Sequence, residues 1–302
     1  MAGRFLARLR LQPLRTHMDD WREGTVLVCG ASSQIGFFLL PELARAGVPV
    51  LALSRRSQAV LAGVAWLRGA LPAPPATANT AVSACCFAPL DALAAWIESG
   101  MATNLQRVVA TSSMSADSKR ASPVAAEREV SRRLREGEAA VASACERRGI
   151  AWTILRPTLI YGAARDRSLT PLARRAMRWR VFGLPAGSGL RQPVHAADIA
   201  QAVLHALDGN AAGRVLPIGG GERLPAAQMF ARVHASLPVR ALPLRVPAPL
   251  IRFGARVVPP LRGALTRLQQ DLVADNGELE RLLGVHPRPF RPGPECWEPS
   301  RP

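Results

Sequence analysis

Seven residues near the start of the chain have the types and spacing of a phosphate-binding turn. Glycine at the first position permits a tight turn, and backbone N–H groups at the start of a following helix can bind a phosphate. Serine at the fourth position replaces the middle glycine of the full G-x-x-G-x-x-G pattern, and its hydroxyl can donate a hydrogen bond. The seven residues are Gly30, Ala31, Ser32, Ser33, Gln34, Ile35 and Gly36. All of them except Ala31 are predicted to bind a dinucleotide cofactor.

Two arginines follow the next apolar run and indicate which dinucleotide would bind. An acidic residue at this point usually binds the ribose 2′-hydroxyl of NAD, whereas arginine suits the 2′-phosphate of NADP. The residues are Arg55 and Arg56. They favour NADP(H) over NAD(H), although arginine is abundant in this chain and both could simply be solvated.

A βαβ unit must position these groups. The apolar run 26–28 predicts a strand, residues up to about 47 predict a helix, and 48–53 predicts a second strand. Further strands are predicted at 64–67, 81–87, 106–110, 151–155 and 215–218, and helices at 90–99, 125–148 and 170–179. Residues 194–207 are predicted to begin with an extended Val194-His195 and then to form a helix. Strands that alternate with helices predict an α/β fold with a Rossmann-type, doubly wound parallel sheet.

The chain divides into an extension and one larger domain. Residues 1–22 form a basic N-terminal extension, which could be a targeting segment, a membrane-surface segment or an early start. Residues 23–302 form the domain, with a dinucleotide-binding core of about 24–162 plus returning segments. A small C-terminal lobe is built from segments after 163, including helical pieces near 248–257, 261–274 and 277–284.

Composition limits the classes of function. The 302 residues are 48% hydrophobic and carry a net charge of +17. No apolar run is long enough for a transmembrane helix, but peripheral contact with an anionic membrane stays open. The basic residues are spread along the chain without aromatic-flanked clusters, so no nucleic acid is expected. Five cysteines with no zinc-site spacing predict no metal and a reducing cytoplasm.

Five segments, taken in order, resemble those of a known enzyme family. They are GASSQIG, VVATSSMS, AWTILRPTLIYG, LRQPVHAADIAQAV and LLGVHPRPFRP. Together they resemble the extended short-chain dehydrogenase/reductases, in the NAD-dependent epimerase/dehydratase group that acts on nucleotide sugars. The resemblance covers about residues 24–293 and implies further ligand-binding residues. Cofactor contacts are implied for Ala88, Pro89, Ser112 and Pro157, and a contact with a substrate diphosphate for Arg191.

The chain departs from this family at the catalytic pair, Y-x-x-x-K, which the family carries on the long helix after the serine strand. With the alignment anchored on Glu138 and on Gly149-Ile150, the tyrosine position falls near Val130 and the lysine position near Leu134. The single tyrosine of the chain is Tyr161, which belongs to the RPTLIYG segment. The usual proton relay is therefore predicted to be absent.

Three functions remain open. The first is an NAD(P)(H)-linked epimerase, dehydratase or oxidoreductase acting on an anionic small molecule, with Ser113 at the family's catalytic serine and a proton partner among Lys119, Asp117 and Tyr161. The second is a protein that senses NADP(H) without turnover, and the third is an accessory or scaffold subunit. For each of them, a homodimer stays open. His195 is expected to order the helix after it rather than to transfer protons.

Overall fold

The computed structural model describes residues 20–246 and 268–298, which contain thirteen strands. Seven of these are β1 (Val26–Cys29), β2 (Val50–Ser54), β3 (Val64–Arg68), β4 (Ser83–Cys86), β5 (Arg107–Thr111), β6 (Ala151–Pro157) and β7 (Ile160–Tyr161). The other six are β8 (Val181–Pro185), β9 (Leu190–Arg191), β10 (Val194–His195), β11 (Arg214–Ile218), β12 (Leu224–Pro225) and β13 (Leu242–Val246).

Nine α-helices lie in the described ranges. They are α1 (Asp20–Glu23), α2 (Gln34–Arg45), α3 (Leu90–Glu98), α4 (Ser115–Ser118), α5 (Ala125–Arg147), α6 (Thr170–Trp179), α7 (Ala196–Leu207), α8 (Ala226–Ala235) and α9 (Gly277–Leu283). Short 3-10 helices span Ala76–Thr80 and Pro294–Cys296.

The main sheet has seven parallel strands in the order β11-β6-β5-β4-β1-β2-β3. The strand order reverses between β1 and β4, which is the topological switch point where doubly wound folds bind their ligands. The predicted fold class is therefore confirmed. The strands of this sheet lie within two or three residues of the predicted bounds. The predicted helical piece 248–257 and the first half of the piece 261–274 lie outside the described residues. In the described half, only 268 and 269 are helical, so the predicted helix does not extend to 274.

Side chains of alternating direction on each strand build two apolar layers, one on each face of the sheet. In β1, Val26 and Val28 pack with the layer that includes helices α2 and α7, whereas Leu27 and Cys29 pack with α3 and α5. All four β1 side chains are fully buried. Because both faces are covered, the strand reads as a continuous apolar run.

The N-terminal boundary of this core lies earlier than predicted. Trp21 was assigned to the N-terminal extension, but its indole is only 2% exposed and belongs to the α2–α7 layer. Its Nε1 donates to Asp208 Oδ1 over 2.9 Å, and Arg22 forms an ion pair with the same carboxylate. The physical reason is that an indole can bury its ring while its N–H reaches a polar partner. A sequence window around Trp21 does not show that partner.

A third apolar cluster forms the C-terminal lobe. It joins side chains of α6, α8 and β8 with Tyr161, Phe290 and Trp297. Two small sheets, β13-β8 and β12-β9, belong to the same part of the chain. Strands β8 and β13 were not predicted, and they pair with each other in parallel. The lobe covers the carboxyl side of the main sheet through the link from β6 to β7.

Candidate functional site

The glycine turn after β1 has the backbone geometry that a phosphate site needs. Gly30 has a φ of +71°, which is a left-handed conformation that favours glycine. A Cβ on Gly30 would lie 3.0 Å from the backbone of Phe87, and a Cβ on Gly36 would overlap the carbonyl oxygen of Ala31. Both glycines are therefore required by the close approach of backbone to backbone.

The start of α2 leaves two N–H donors at this turn. Ser33 is the N-cap, and its Oγ accepts a hydrogen bond from Gly36 N over 3.2 Å. The N–H groups of Gln34 and Ile35, which are the first two of the helix, have no acceptor among the described residues. The Ser33 hydroxyl oxygen therefore accepts from the helix, and its proton stays available for donation to a ligand.

A cation from the C-terminal lobe lies over the same turn. Arg165 Nη1 donates to Ser32 O over 2.9 Å, and its guanidinium carbon lies 4.9 Å from the centre of the Phe37 ring. Partial burial lowers the pKa of Arg165 below its usual value, yet an arginine keeps its charge at neutral pH. Sequence reasoning missed this residue, since 133 positions separate it from Ser32 and no motif spacing marks it.

The end of β2 presents the two arginines predicted to select the cofactor. Ser54 Oγ donates to Arg56 O over 2.8 Å and accepts from Arg56 N over 3.2 Å, so it fixes the turn. Arg55 and Arg56 are exposed, and neither has an acidic partner within the described ranges. Their guanidinium groups are therefore available to a solvent-borne anion.

The ends of β4, β5 and β6 meet beside the glycine turn. Phe87 N donates to Cys29 O over 2.8 Å, which brings Ala88 and Pro89 next to the end of β1. Ser112 N donates to Leu155 O over 2.8 Å. Met114 N donates in the same way to Pro157 O over 2.9 Å. The predicted cofactor residues of three strands therefore share one edge of the sheet.

Two buried polar atoms at this edge have no hydrogen-bond partner in the described structure. They are Gln34 Oε1 and Ser112 Oγ. A buried polar atom without a partner is costly, so a ligand that supplies partners would stabilise the site. Both residues were predicted to contact the cofactor, and the residues present fit a dinucleotide.

Ser113, the predicted catalytic serine, is held by a local contact. Its Oγ accepts from Ser115 N over 3.1 Å at the start of α4. A hydroxyl that accepts from a backbone N–H still has its own proton to donate. Lys119 is half-buried, and its side chain forms no hydrogen bond or ion pair with another described residue. Asp117 pairs with Arg156. Neither is therefore bonded to the serine.

An ion pair fixes helix α5 against β6. Arg156 Nη2 lies 2.5 Å from Glu138 Oε2, and Arg156 Nη1 lies 2.6 Å from Asp117 Oδ2. The hydrogen bond to Glu138 raises the pKa of Arg156 above its usual value. Glu138 is 5% exposed, so this pair locates α5 by a specific contact.

The face of α5 that precedes Glu138 carries no acid/base pair. Val130 and Leu134 lie eight and four residues before Glu138, which places them on one side of the helix. Val130 is 42% exposed. The sequence of α5, AAEREVSRRLREGEAAVASACER, contains neither tyrosine nor lysine. An aliphatic side chain at either position cannot transfer a proton.

Tyr161 lies inside the C-terminal lobe. It is 1% exposed and packs edge-on against His195 and Phe290, with ring centres 5.0 and 4.9 Å away. Burial, together with the nearby Cys296 and Asp198, raises the pKa of Tyr161 above its usual range. A buried phenol that resists ionisation is a poor proton relay, which argues against the predicted catalytic role of Tyr161.

His195 orders the start of α7, as expected. Its Nδ1 accepts from Ala197 N over 3.2 Å, and a Cβ on Gly162 would overlap its ring. Burial, reinforced by the charge of Arg288, lowers the pKa of His195 to about 4. The imidazole is therefore neutral at pH 7 and acts as a hydrogen-bond acceptor.

Arg191, the predicted substrate ligand, is a buried part of the lobe. It is 6% exposed, and its Nη1 donates to Leu190 O over 2.8 Å and to Gln270 O over 2.6 Å. Burial lowers the pKa of Arg191 below its usual value. Its guanidinium donates to backbone carbonyls, which argues against the predicted contact of Arg191 with a substrate diphosphate.

The described residues contain neither a metal cluster nor a membrane-spanning helix. Within residues 20–246 and 268–298, no three His, Cys, Asp or Glu side chains are grouped so as to hold a metal ion. No helix in those ranges is both long and apolar enough to cross a membrane. The five cysteines are buried and unpaired.

Comparison with known proteins defines the class first by fold. The structure is similar to MoeE5 in complex with UDP-glucose and NAD, with 20% identity, a TM-score of 0.68, and 91% of this chain and 97% of that chain covered. It is similar to UDP-glucose 4-epimerase from Thermotoga maritima at 15% identity and a TM-score of 0.70, with 90% and 97% covered. Epimerase Mth375 from Methanothermobacter thermautotrophicus matches at 16% identity and a TM-score of 0.70, with 95% of each chain covered. These likenesses establish the fold.

One part of the sequence matches a known family. Residues 91–219 match the family described as NAD dependent epimerase/dehydratase. A comparison with curated protein sequences gives no significant match. The predicted resemblance to the NAD-dependent epimerase/dehydratase family is therefore confirmed.

Proposed function

We propose that the protein binds NADP(H), in preference to NAD(H), along the carboxyl edge of the main sheet. The observation that carries this proposal is the pair of unpaired N–H donors at Gln34 and Ile35, with the Arg165 cation beside them. A helix N-terminus and a nearby guanidinium together form a strong site for a pyrophosphate. The structural neighbours include proteins whose complexes contain NAD.

The preference for NADP(H) rests on Arg55 and Arg56. They follow β2 at the position where an acidic residue would bind the 2′-hydroxyl of NAD, and both are exposed without an acidic partner in the described structure. A guanidinium matches the geometry of a phosphate with two parallel hydrogen bonds. We assign them to the 2′-phosphate.

The second ligand is an anionic small molecule of the nucleotide-sugar class. Neighbours of the same fold are complexes with UDP-glucose, and residues 167–197 of the lobe carry arginines but no Asp or Glu. Ser113 would donate its hydroxyl proton to a carbonyl or carbinol oxygen of that ligand, because its acceptor side already serves Ser115. When bound, the nicotinamide supplies hydride chemistry.

The proton for such a reaction needs a source outside α5. Helix α5 contains neither tyrosine nor lysine, the residues at 130 and 134 are aliphatic, and Tyr161 is buried in the lobe. This observation specifically favours a second candidate function, a protein that senses the NADP(H) state without turnover. In that case the bound cofactor would change the protein's conformation and would be released unaltered.

One experiment separates the two candidates. Purified protein is incubated with NADPH or NADP⁺ and a panel of UDP-sugars and dTDP-sugars, and the products are analysed by chromatography. Turnover that is lost in Ser113→Ala supports the enzyme. Tight cofactor binding with no product from any sugar supports the sensor, and the absence of cofactor binding rejects both.

The five buried thiols suit a reducing compartment, so we propose that the protein works in the cytoplasm.

A further inference from the structure

Exposed apolar side chains are concentrated on one part of the C-terminal lobe. The described residues include eight exposed large hydrophobic side chains, and five of them lie on α6, β8 and β13. We call these five the lobe patch: Leu172, Trp179, Val181, Leu242 and Leu244. Leu242 is 73% exposed and Trp179 is 62% exposed. A contiguous exposed apolar surface usually marks an interaction site.

The strand pairing makes this patch continuous. Val181 is opposite Leu242 in the parallel β8–β13 pair, and Gly183 is opposite Leu244, so these four residues share one face. Phe182, on the other face, is 2% exposed and packs in the lobe core. The pair is therefore a sheet with one buried face and one apolar face that is open.

Helix α6 extends the patch directly. Leu242 N donates to Arg180 O over 2.8 Å, so β13 begins beside the residue that links α6 to β8. Arg180 is left-handed, with a φ of 58°, and turns the chain sharply from helix into strand. Trp179, the last residue of α6, thus stands at the end of the open sheet face.

The patch is surrounded by positive charge. Arg175, Arg178 and Arg180 are exposed, and none of them has an acidic partner in the structure as described. Residues 167–197 and 223–246 contain no Asp or Glu. The Arg175 guanidinium lies 5.5 Å from the centre of the Trp179 ring, which joins the charge to the apolar surface.

We propose that the lobe patch binds the surface of an anionic phospholipid membrane. Exposed leucine and valine side chains enter the acyl region, tryptophan prefers the interface, and arginines bind the headgroup phosphates. A second copy of the chain is a poorer occupant, because it would bring the same three arginines against these three. A nucleic acid would not bury the aliphatic side chains of β13.

The test is vesicle co-sedimentation of the full chain. The protein should bind vesicles of phosphatidylserine and phosphatidylcholine and bind phosphatidylcholine alone weakly. The double variant Leu242→Ser/Leu244→Ser should weaken binding by about tenfold or more, because two large apolar groups no longer leave water. Arg175→Glu/Arg178→Glu should weaken it by at least about fivefold for each arginine lost.

Matched controls separate the patch from the overall positive charge. Val60→Ser removes a more exposed apolar side chain elsewhere, and Arg120→Glu/Arg214→Glu makes the same change of charge away from the lobe. The proposal requires the patch variants to lose much more binding than these controls. Quenching of Trp179 by brominated lipid, judged against Trp179→Phe, should identify the inserted residue.

Four results would overturn the proposal. Equal losses in patch and control variants would show binding by net charge alone. A wild-type protein that does not bind anionic vesicles would show that the patch has no membrane partner. Patch variants with a changed sedimentation coefficient would favour self-association. A large fall in the melting temperature of Leu242→Ser/Leu244→Ser without vesicles would show that the chain itself covers the patch.

Discussion

The two sides of the crevice differ in how they depend on sequence. On the β1–α2 side, the phosphate-binding geometry is set by backbone, and the replacement of the middle glycine by Ser33 leaves the N–H donors of Gln34 and Ile35 in place. On the α5 side, the Glu138–Arg156 pair keeps the helix in position, but the side chains at 130 and 134 are aliphatic. The backbone expected to bind the cofactor and the side chains expected to transfer protons therefore lie on different elements.

The most severe way to break the comparison is to block the glycine turn. In Gly36→Asp, the new Cβ overlaps the carbonyl oxygen of Ala31 and a carboxylate is placed at the phosphate site. We expect NADPH binding to fall by more than about a hundredfold, since steric and charge effects act together. The measurement is NADPH fluorescence titration, with circular dichroism to check the fold.

Gly183→Asp is the matched control for that variant. Gly183 has open space around its Cβ position and lies in the lobe, far along the chain from the turn. This variant should bind NADPH like the wild type. If a folded Gly36→Asp also binds normally, the cofactor does not use the β1–α2 turn.

The next largest effect should follow removal of the Arg165 cation. Arg165→Ala should weaken NADPH and NADH binding by the same factor, about tenfold, because the pyrophosphate is common to both. Arg167→Ala is the matched control, since Arg167 is exposed and only two residues away. Equal effects of the two substitutions in calorimetry would remove Arg165 from the site.

A smaller and more selective effect is expected at the end of β2. Arg55→Ala should reduce NADPH binding by several-fold, about what one exposed charge-assisted hydrogen bond contributes, and leave NADH binding unchanged. The loss should shrink as salt rises, because both partners are exposed. A parallel loss for NADH, measured at the same ionic strength, would show that Arg55 does not meet a 2′-phosphate.

The prediction for the α5 side can be tested by placing a tyrosine and a lysine at positions 130 and 134. In Val130→Tyr/Leu134→Lys, the lysine lies one helical turn from the phenol and should lower its pKa relative to Val130→Tyr alone. Ultraviolet titration can resolve the new phenol, because the single native tyrosine, Tyr161, is buried with a raised pKa. Since Val130 is 42% exposed, stability should change by about 0.5 kcal/mol or less.

Saturating NADPH provides the second half of that experiment. If the 130–134 face borders the cofactor, the bound dinucleotide should shift the titration of the introduced phenol. A titration that is identical with and without NADPH would place this face away from the crevice and contradict the alignment on Glu138.

The smallest expected effect concerns His195. Its folded pKa of about 4 lies below the unfolded value of 6.5, so the unfolded chain binds more protons between these values. Stability should therefore fall as the pH drops through this window, and His195→Gln should lose less stability there than the wild type. Melting temperatures between pH 7 and 4 provide the measurement, and an NMR midpoint near 6.5 would contradict the account.

The sequence predicted those parts of the molecule that depend on local pattern. Apolar runs bounded by glycine and proline located the strands of the main sheet. The lobe strands β8 and β13 were missed because each has apolar residues on its exposed face, so neither shows the usual alternation.

Contacts between distant segments could not be predicted in the same way. Arg165 reaches the glycine turn only because the lobe folds over the sheet, and Trp21 joins the core only because Asp208 accepts its N–H. The roles of Arg191 and Tyr161 were inferred from motif position, which does not report burial. Both side chains are almost fully buried in the structure.

The central claim is that the crevice binds a nicotinamide dinucleotide although α5 has no acid/base pair. Calorimetric titration of the wild-type protein with NADPH, NADP⁺ and NADH tests it most directly. We predict one site per chain, with NADPH bound more tightly than NADH. No binding of any of the three would contradict the account, and the β1–α2 unit would then be scaffold alone.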